Sequence, residues 1–340
     1  MKMFAGLDVG FKRTAVCVVD ESGGVVWRGV VDTHAAMLEQ VLARWRCDLV
    51  KVGLETGSCT PWLARALRRS GFPVVCMDAR RCAEAVRARR VKSDKADAWS
   101  LAEMLRTGWY TAVHVKSEES HRVKALLGAR DQLVRAKRSL GNQVRGLLRP
   151  FGIRLPARQG TERFAEAARM AVCRDDVLAA AIGSLLEALA ALEAQLARLD
   201  ERVKELAQRS EVCWRLMSVP GVGPVTALAF MATIEDIGRF RRMRDIGVYL
   251  GLTPKRYQSG ETDVALGISH QGDAMARHYL YEAANVLLTT VRARSALKSW
   301  GLQVMKRRGP KRARVAVARK LAAVLGRIWR DGSHFEAFAA

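Results

Sequence analysis

The stretch MFAGLDVGFKRTAVCVVDESGGVVWRGVV (Met3–Val31) decides the fold of the first part of the chain. It contains three short runs rich in β-branched residues, separated by turn-forming residues at Gly10 and at Ser22–Gly24. Runs of this length that are bounded by glycine and serine are typical of strands joined by tight turns. The stretch therefore predicts a meander of three strands.

Beyond the meander, helical and strand patterns alternate. The spacing of apolar residues predicts helices at about 34–46, 61–70 and 94–106 and strands at LVKVGLE (Leu49–Glu55) and FPVVCMD (Phe72–Asp78). A meander followed by alternating helices and strands is typical of an α/β layer fold with a mixed sheet. We expect this first domain to cover residues 1–115.

From about Glu118 the strand patterns stop, and residues 118–149 read as one long basic helix closed by Pro150. Apolar residues then alternate at spacings of four and three, which is the a/d seam of a heptad repeat. The seam consists of Leu178, Ile182, Leu185, Leu189, Leu192, Leu196, Leu199, Val203 and Leu206. Two interpretations stay open, namely burial against the preceding helix of the same chain and association between chains. We expect a helical coiled-coil segment at 116–210 and a mainly α-helical domain at 211–340.

The composition indicates a folded protein that binds a polyanion. The 340 residues include 57 Lys and Arg against 34 Asp and Glu, a net charge of +23. Such a field attracts nucleic acid, and clustered arginines favour this interpretation over one in which charge only maintains solubility. The seven cysteines are odd in number and contain no CxxC pair, which predicts reduced thiols and no zinc knuckle. We see no apolar run long enough to span a bilayer and expect a cytosolic protein without a membrane partner.

Four carboxylates could form a metal site. Asp8 lies at the end of the first predicted strand and Glu55 at the end of the fourth. Carboxylates at the C-terminal ends of parallel strands open onto the same crevice, where α/β sheets bind ligands. Asp94 and Asp97 are three residues apart on a predicted helix and project from one face. Together they could hold a pair of Mg²⁺ or Mn²⁺ ions for phosphodiester cleavage.

The helix pair alone fits a simpler interpretation. Asp94 and Asp97 could form a solvated helix face whose charge is balanced by Lys92 and Lys95. The order of strand Asp, meander, strand Glu and helix Asp-x-x-Asp favours an RNase-H-like nuclease core instead. Four close carboxylates repel one another unless cations neutralise them, so this arrangement predicts bound metal.

Two motifs in the last part of the chain have ambiguous roles. VPGVGPVTA (Val219–Ala227) resembles the hairpin of a helix-hairpin-helix module, whose backbone N–H groups contact phosphate, but it also fits an ordinary tight turn. Ser259 precedes Gly260 and would normally be read as a turn residue. A serine nucleophile needs an activating base or metal, and no local spacing identifies one. His270 reads as a phosphate or structural contact.

Seven stretches taken together resemble one known family. They are GLDVG, GLETGSCTPWLARAL, VKSDKADAWSLAEML, SVPGVGPVTALAF, YLGLTPKRYQSGE, ISHQGDAMARHYLYEAA and RVAVARKLAAVL. In this order they span nearly the whole chain and resemble the DEDD-type insertion-sequence transposases of the IS110/IS1111 family. Members of that family are guided by a bridge RNA that the element encodes.

The resemblance implies a RuvC-like N-terminal domain with a catalytic, Mg²⁺-binding tetrad, and a C-terminal transposase domain with a catalytic serine. The tetrad maps onto Asp8, Glu55, Asp94 and Asp97. The serine maps onto Ser259, and Ser269 is the less favoured candidate. Glu261 and Asp263 depart from expectation, because basic residues would be easier to explain beside a phosphate.

The resemblance also implies partners and a location. The protein would bind donor and target DNA and bridge RNA in the bacterial cytosol or nucleoid, as a dimer that forms a tetramer in the synaptic complex. The composite active site would join the acidic domain of one protomer to the serine of another. The basic segments Arg130–Arg149, Arg239–Arg244 and Lys306–Arg314 would contact nucleic-acid backbones, while the low aromatic content of 6% argues against base stacking as the main mode.

Two other functions remain open at this stage. The first is a metal-dependent junction resolvase or nuclease that uses only the acidic tetrad, with water as the nucleophile. The second is a non-catalytic coiled-coil scaffold that binds nucleic acid.

Overall fold

The computed structural model describes residues 1–87, 94–155, 160–259 and 262–338. The chain divides into two compact units, Met1–Ser117 and Glu118–Ala340. The second unit therefore contains most of the expected helical segment together with the expected C-terminal domain.

The first unit is a mixed sheet with helices on both faces. Its elements are β1 (Met3–Val9), β2 (Arg13–Asp20), β3 (Val25–Asp32), α1 (Ala35–Leu42), β4 (Leu49–Glu55), α2 (Thr60–Arg69), β5 (Val74–Met77), α3 (Ala79–Arg87) and α4 (Asp94–Thr107). The five strands lie in the order β3-β2-β1-β4-β5. The first three are antiparallel, whereas β4 runs parallel to β1 and β5 parallel to β4. The predicted meander and mixed sheet are confirmed.

The side chains of β1 alternate between two faces, and each face packs into a different hydrophobic core. Ala5 and Leu7 are fully buried in a cluster with Leu38 of α1 and Leu63 of α2. Phe4 lies on the opposite face in a second cluster, formed mainly with residues of α4. Since side chains alternate between faces along a strand, this central strand is covered on both sides. The hydrophobic packing around β1 thereby fixes the strand end that carries Asp8.

The second unit is mainly helical. Its elements are α5 (Glu118–Leu148), α6 (Thr161–Val172), α7 (Asp176–Gln208), α8 (Glu211–Leu216), α9 (Pro224–Ile234), α10 (Asp245–Tyr249), β6 (Pro254–Ser259), β7 (Thr262–Ile268), α11 (Ala274–Thr289), α12 (Ala296–Arg308) and α13 (Pro310–Asp331). The last six helices and the amino-terminal end of α5 share one core, in which Phe230 is fully buried. Two of these elements, β6 and β7, correct the expectation that no strands follow Glu118.

The heptad seam packs within the chain. The α5 and α7 helices are antiparallel, because Arg130 pairs with Asp200 and Lys137 with Glu193. Ile182 and Leu189 of the seam are buried in a cluster with the end of α5 and with α6, and Val203 is buried in the C-terminal core. Every seam position is at least partly buried. Of the two interpretations left open, the described structure supports burial against the preceding helix of the same chain.

The α7 helix also changes the expectation about apolar runs. By length and composition alone, it is long and apolar enough to cross a bilayer, and it is one such helix among the described residues. The expectation that no apolar run is long enough to span a bilayer is therefore wrong. A single helix of this kind is weak evidence for a membrane span, since apolar helices of soluble proteins meet the same criterion, and one side of α7 packs against α5 and α6.

Candidate active site and nucleic-acid surfaces

The acidic candidates Asp8 and Glu55 lie at adjacent strand ends on one face of the sheet. In the parallel register of β1 and β4, Gly6 is opposite Gly53 and Leu7 is opposite Leu54. Asp8 and Glu55 follow these last two residues directly. Since Gly6 and Gly53 both face α4, the residues two positions further along each strand face the same way. The structure thus brings two of the four predicted carboxylates together at the carboxyl edge of the sheet.

The close approach of α4 to β1 depends on Gly6. A Cβ atom at this position would lie 2.1 Å from the carbonyl oxygen of Ala98 and 2.5 Å from the backbone nitrogen of Ala102. No other residue type could occupy this position without displacing the helix. Asp97 immediately precedes Ala98, so this contact also places Asp97 over the sheet.

The direction of α4 carries its first residues toward Asp8. A Cβ atom at Gly23, in the turn between β2 and β3, would lie 3.2 Å from Glu103 Oε1 near the end of α4. That turn lies at the amino end of β1, where Met3 pairs with Asp20. The opposite end of α4 therefore points to the carboxyl end of β1.

Asp97 has a buried carboxylate oxygen. Its Oδ1 atom has no hydrogen-bond partner among the residues that the structure describes. A buried carboxylate oxygen without a partner is costly, and a cation is one group that removes this cost. The side chains of Asp94 and Lys95, and the whole of Lys92, lie outside the described residues. Within the described residues, no three His, Cys, Asp or Glu side chains approach closely enough to form a metal cluster.

Two residues that sequence reasoning missed also lie at this edge. Burial raises the pKa of the Cys82 thiol to about 12, and the negative charges of Glu55 and Asp78 add to the effect. The Asp78 carboxylate accepts hydrogen bonds from the backbone N–H groups of Arg80 and Arg81, at 2.9 and 3.2 Å. Asp78 thus stabilises the start of α3. The charge of its carboxylate also adds negative potential at this edge, although the carboxylate already accepts hydrogen bonds from the backbone. Asp78 could have been identified from the sequence as a residue of this edge, because it ends a predicted strand as Glu55 does.

The backbone after Glu55 is held by hydroxyl groups. Thr60 Oγ1 donates a hydrogen bond to the carbonyl oxygen of Glu55 at 2.6 Å and accepts one from the backbone of Gly57 at 2.9 Å. Thr56 Oγ1 accepts one from the backbone of Ala79 at 3.2 Å. These bonds order the loop that carries the Glu55 backbone.

Ser259 and Ser269 lie at opposite ends of one β-hairpin. Ser259 ends β6 and pairs with Thr262, while Pro254 pairs with Ile268 at the other end. Ser269 lies seven positions after Thr262 along β7 and its extension, which corresponds to roughly 20 Å. His270 follows Ser269 directly and is equally distant from Ser259. The geometry therefore excludes His270 as a base for Ser259 within the same hairpin.

The base of the hairpin is a tight interlock. Gly251 has φ +68°, and a Cβ atom there would lie 2.0 Å from the carbonyl oxygen of Gln271. Gly272 has φ +80°, and its Cβ atom would lie 2.1 Å from the carbonyl oxygen of Tyr249. His270 adopts φ +55°, which is uncommon for a residue with a side chain. These segments cross so closely that glycine is required on both sides.

Arg277 holds this base together. Its Nη1 atom donates to the carbonyl oxygens of Leu250, Gln271 and Gly272 at 3.1, 2.7 and 3.1 Å. Burial lowers the pKa of this guanidinium, which nevertheless stays charged. Asp273, at the start of α11, accepts from the backbone of Ala276, and its other carboxylate oxygen pairs with Lys124 of α5 at 2.5 Å.

The middle of the hairpin has exposed apolar residues. Val264 and Leu266 are 45% and 49% exposed although they alternate on one face of β7. The side chain of Ser259 lies outside the described residues, as do Gly260 and Glu261 and the side chain of Asp263. The structure therefore does not describe the two acidic side chains that depart from the basic residues expected beside a phosphate. The alternation of Val264, Leu266 and Ile268 after the Ser-Gly pair is the signal that could have identified these strands.

The turn at Val219–Ala227 is explained in part by packing. Gly221 has φ +92°, and a Cβ atom there would lie 2.7 Å from the carbonyl oxygen of Ala283 in α11. Gly223 has open space around it and precedes Pro224, the first residue of α9. One glycine thus allows a close helix contact, and phosphate binding by the turn remains a prediction.

The basic segments differ in how many of their cations are paired. On α5, Arg130 pairs with Asp200, Arg135 with Asp131 and Lys137 with Glu193. In the second segment Arg242 pairs with Asp245, and the Arg239 guanidinium lies over the rings of Phe240 and Tyr249, at 5.6 and 5.5 Å.

A cluster of exposed cations lies where α12 meets α13. Five exposed cations surround Gly309, and none has an ion-pair partner among the residues that the structure describes. They are Lys306, Arg307, Arg308, Lys311 and Arg312. Arg314, at the end of the predicted cluster, instead donates to Tyr281 Oη at 3.4 Å. Unpaired and clustered cations are typical of a surface that contacts phosphate.

Comparisons with known proteins agree with the resemblance seen in the sequence. Residues 213–298 match the family model described as "Transposase IS116/IS110/IS902 family", and residues 5–152 match the transposase model for the DEDD domain of IS110. The transposase for insertion sequence element IS1111A of Coxiella burnetii is 30% identical over 326 residues, which are 94% of this chain and 87% of that protein. A probable family 20 transposase of Pseudomonas aeruginosa is 31% identical over 81% of this chain and 82% of its own length.

One solved structure shows a weaker likeness. It is titled T. thermophilus RuvC in complex with Holliday junction substrate, and it covers 33% of this chain and all of its own. The sequence identity is 18% and the TM-score is 0.27, a likeness too low to carry a conclusion.

Proposed function

Because the chain belongs to the IS110/IS116 family of insertion-sequence transposases, we propose that it cleaves and exchanges DNA strands through a phosphoserine intermediate. In this proposal the carboxylates of Asp8, Glu55, Asp94 and Asp97 form the metal site, and Ser259 is the nucleophile. A bridge RNA selects the donor and target DNA by base pairing. The observation that supports the metal part is the buried Oδ1 of Asp97, which has no hydrogen-bond partner among the described residues. Asp97 belongs to the helix that packs on the sheet face holding Asp8 and Glu55.

The residues suit a hard divalent cation. Carboxylate oxygens are the ligands that Mg²⁺ prefers, and Mn²⁺ takes the same type of donor. When bound, such an ion supplies charge stabilisation for the transferring phosphoryl group. Since the described carboxylates do not converge into a cluster of three, the proposal requires the α4 carboxylates to approach Asp8 and Glu55 when the ion binds.

The covalent step is a transesterification. Ser259 Oγ forms a bond to the scissile phosphorus, and the bond from that phosphorus to the leaving deoxyribose oxygen breaks. The serine loses its proton and the leaving oxygen gains one, so that the products are a phosphoserine diester and a free DNA hydroxyl end. The energy of the phosphodiester is kept in the protein–DNA bond, which a hydroxyl of the exchanged strand attacks in the reverse reaction.

Partners and assembly belong to the same proposal. Donor and target DNA lie against basic surfaces such as the cluster of unpaired cations around Gly309, and the bridge RNA is held by further cations of the second unit. The active form is a homo-oligomer, a dimer that assembles into a tetramer, in which the carboxylates of one protomer and Ser259 of another act on the same phosphate.

The decisive experiment traps the intermediate. The protein, its copurified RNA and labelled DNA carrying the core sequence are mixed with Mg²⁺ and resolved under denaturing conditions. We expect a covalent protein–DNA adduct with the wild type and with Ser269→Ala, and its loss with Ser259→Ala. Strand cleavage that persists in Ser259→Ala without an adduct would instead establish water as the nucleophile, as in a nuclease that uses only the tetrad.

A further inference from the structure

A cavity of about 360 Å³ lies between α5, α6 and α7. Leu189 and Leu196 of α7 and Phe164 of α6 form apolar parts of its wall, and Gly141 of α5 also lines it. Pockets that bind small organic groups begin at about 300 Å³ and combine apolar walls with a few polar groups. The cavity therefore has the size of a site for a single small organic unit and is too small for a duplex.

Cations at this cavity differ in their pairing. Lys137 donates to Glu193 at 2.8 Å, and Glu193 also accepts from Thr161 Oγ1 at 2.9 Å, so this cation is neutralised locally. Arg138 and Arg145 also line the cavity, and neither has a carboxylate partner within the part of the chain that the structure describes. The mouth of the cavity therefore has a surplus of positive charge, which is complementary to a phosphate group.

Arg145 is held in a fixed orientation. Its guanidinium lies over the ring of Phe164, with 4.5 Å from Cζ to the ring centroid, and its Nη1 donates to the carbonyl oxygen of Gly141 at 3.2 Å. Unpaired bases stack on guanidinium planes as well as on aromatic rings. A guanidinium fixed in this way offers a stacking surface at little cost in side-chain entropy.

We propose that this cavity, the α5–α7 pocket, binds one unpaired nucleotide of a single-stranded nucleic acid. The base enters beside the Arg145 plane against Leu189 and Leu196, and the phosphate lies at Arg138. The pocket rests on the nucleic-acid-binding part of the proposed function and is independent of Ser259 chemistry. It adds a site for one base to surfaces that otherwise contact only the backbone.

Gly141 allows a test that leaves the charge unchanged. A Cβ atom there would meet only the flexible end of Arg145, at 3.6 Å, so a side chain can enter the cavity without a backbone clash. Alanine and methionine are also better helix formers than glycine, so Gly141→Ala and Gly141→Met are expected to keep α5 folded. Circular dichroism and the melting temperature check this for each variant.

The measurement uses short single-stranded oligonucleotides that carry 4-thiouracil, one set as RNA and one as DNA. Affinity is followed by fluorescence anisotropy in EDTA at several salt concentrations, and photo-crosslinks are mapped by mass spectrometry. Loss of one stacked base weakens binding by about tenfold, so we expect this loss in Gly141→Met and a smaller one in Gly141→Ala. The slope of affinity against salt should not change, and crosslinks to α5 and α6 should disappear.

Charge variants provide the matched control. Arg145→Gln should weaken binding as Gly141→Met does, because the stacking plane is lost, and Arg138→Gln should reduce the salt slope by about one phosphate contact. Arg149→Gln removes the same charge at the same end of α5 but outside the cavity, and should reduce the slope while the crosslinks persist. The set of oligonucleotides that loses affinity, RNA or DNA, identifies the source of the nucleotide.

The proposal would be overturned if Gly141→Met bound both the RNA and the DNA oligonucleotides with wild-type affinity and still formed crosslinks to α5. Because binding is measured without divalent ions, Ser259→Ala should bind as the wild type does. Failure of the pocket and failure of the proposed chemistry are therefore separate outcomes.

Discussion

The acidic edge of the sheet and the serine hairpin are built in opposite ways. Asp8 extends from the central strand of a five-stranded sheet that is covered by helices on both faces. Ser259 ends a strand of a two-stranded sheet whose Val264 and Leu266 are about half exposed. Isolated two-stranded hairpins are marginally stable in water, so the interlock fixes the base of this hairpin more firmly than the middle of its strands.

This difference shows which half of the proposed chemistry the protein preorganises by itself. Carboxylates that must hold a cation benefit from a rigid support, because their mutual repulsion would otherwise separate them. A nucleophile that must form and then release a covalent bond to DNA can be ordered by the DNA it attacks. Each of the following changes tests one side of this comparison.

The largest effect is expected at the acidic edge. Asp8→Asn removes one ligand charge, and strand cleavage should fall on the order of 10³-fold, as expected when a metal-bound phosphoryl group loses its charge stabilisation. The rise in melting temperature on addition of Mg²⁺, which reports binding to the folded state, should also be lost. The matched control is Glu103→Gln at the other end of α4, where the carboxylate pairs with Arg106 at 2.8 Å. An unchanged Mg²⁺ response in Asp8→Asn would place the metal elsewhere.

An intermediate effect is expected at the base of the hairpin. Gly251→Ala forces a Cβ atom against the Gln271 carbonyl at a positive φ, and the free energy of unfolding should fall by roughly 3 kcal/mol. Leu266→Thr, in the middle of β7, should change it by less than about 0.5 kcal/mol, since its side chain is already 49% exposed. Chemical denaturation followed by tryptophan fluorescence measures both. Equal destabilisation by the two changes would mean that the middle of the hairpin is as firmly supported as the base.

The smallest effect reports the charge at the acidic edge. Glu55 contributes to the high pKa of Cys82, after burial, so Glu55→Gln should lower that pKa and increase the thiolate fraction at any pH below it. Alkylation of Cys82 at alkaline pH should then accelerate about twofold to threefold, because burial remains the main cause of the shift. The exposed Cys47 serves as an internal control in the same mass-spectrometric measurement. An unchanged alkylation rate of Cys82 would show that the charge of Glu55 does not act on this thiol.

The sequence predicted the sheet better than it predicted the hairpin. The strands of the first unit are continuous, mostly apolar runs with clear ends, so β1 and β4 end where expected. Asp8 and Glu55 then lie at neighbouring ends of two parallel strands, as expected. The hairpin strands have a weaker pattern, because only Ile268, at the end of β7, is recorded against the C-terminal core among the described residues, and Lys255 and Arg256 interrupt the apolar alternation. Ser259 could be assigned only through resemblance, since the residues around it contain no nearby base.

Local sequence patterns could not predict the contacts between distant segments of the chain. The interlock of Gly251 with Gln271 brings together two backbone segments on either side of the hairpin, and each glycine alone reads as an ordinary turn. The heptad seam was visible, but its partner was not, because the same a/d spacing serves intrachain and interchain packing. The α6 helix was missed between them, although Phe164 and Ala168 are buried at helical spacing.

The antiparallel pairing of α5 with α7 also has a consequence in time. Lys137 meets a partner 56 residues further along the chain, and at a synthesis rate of about 5–20 residues per second that partner emerges roughly 3–11 s later. During this interval the apolar side of α5, including Val144 and Leu148, has no α7 to cover it. The order of synthesis thus leaves this apolar side in need of protection from aggregation until α7 has been made.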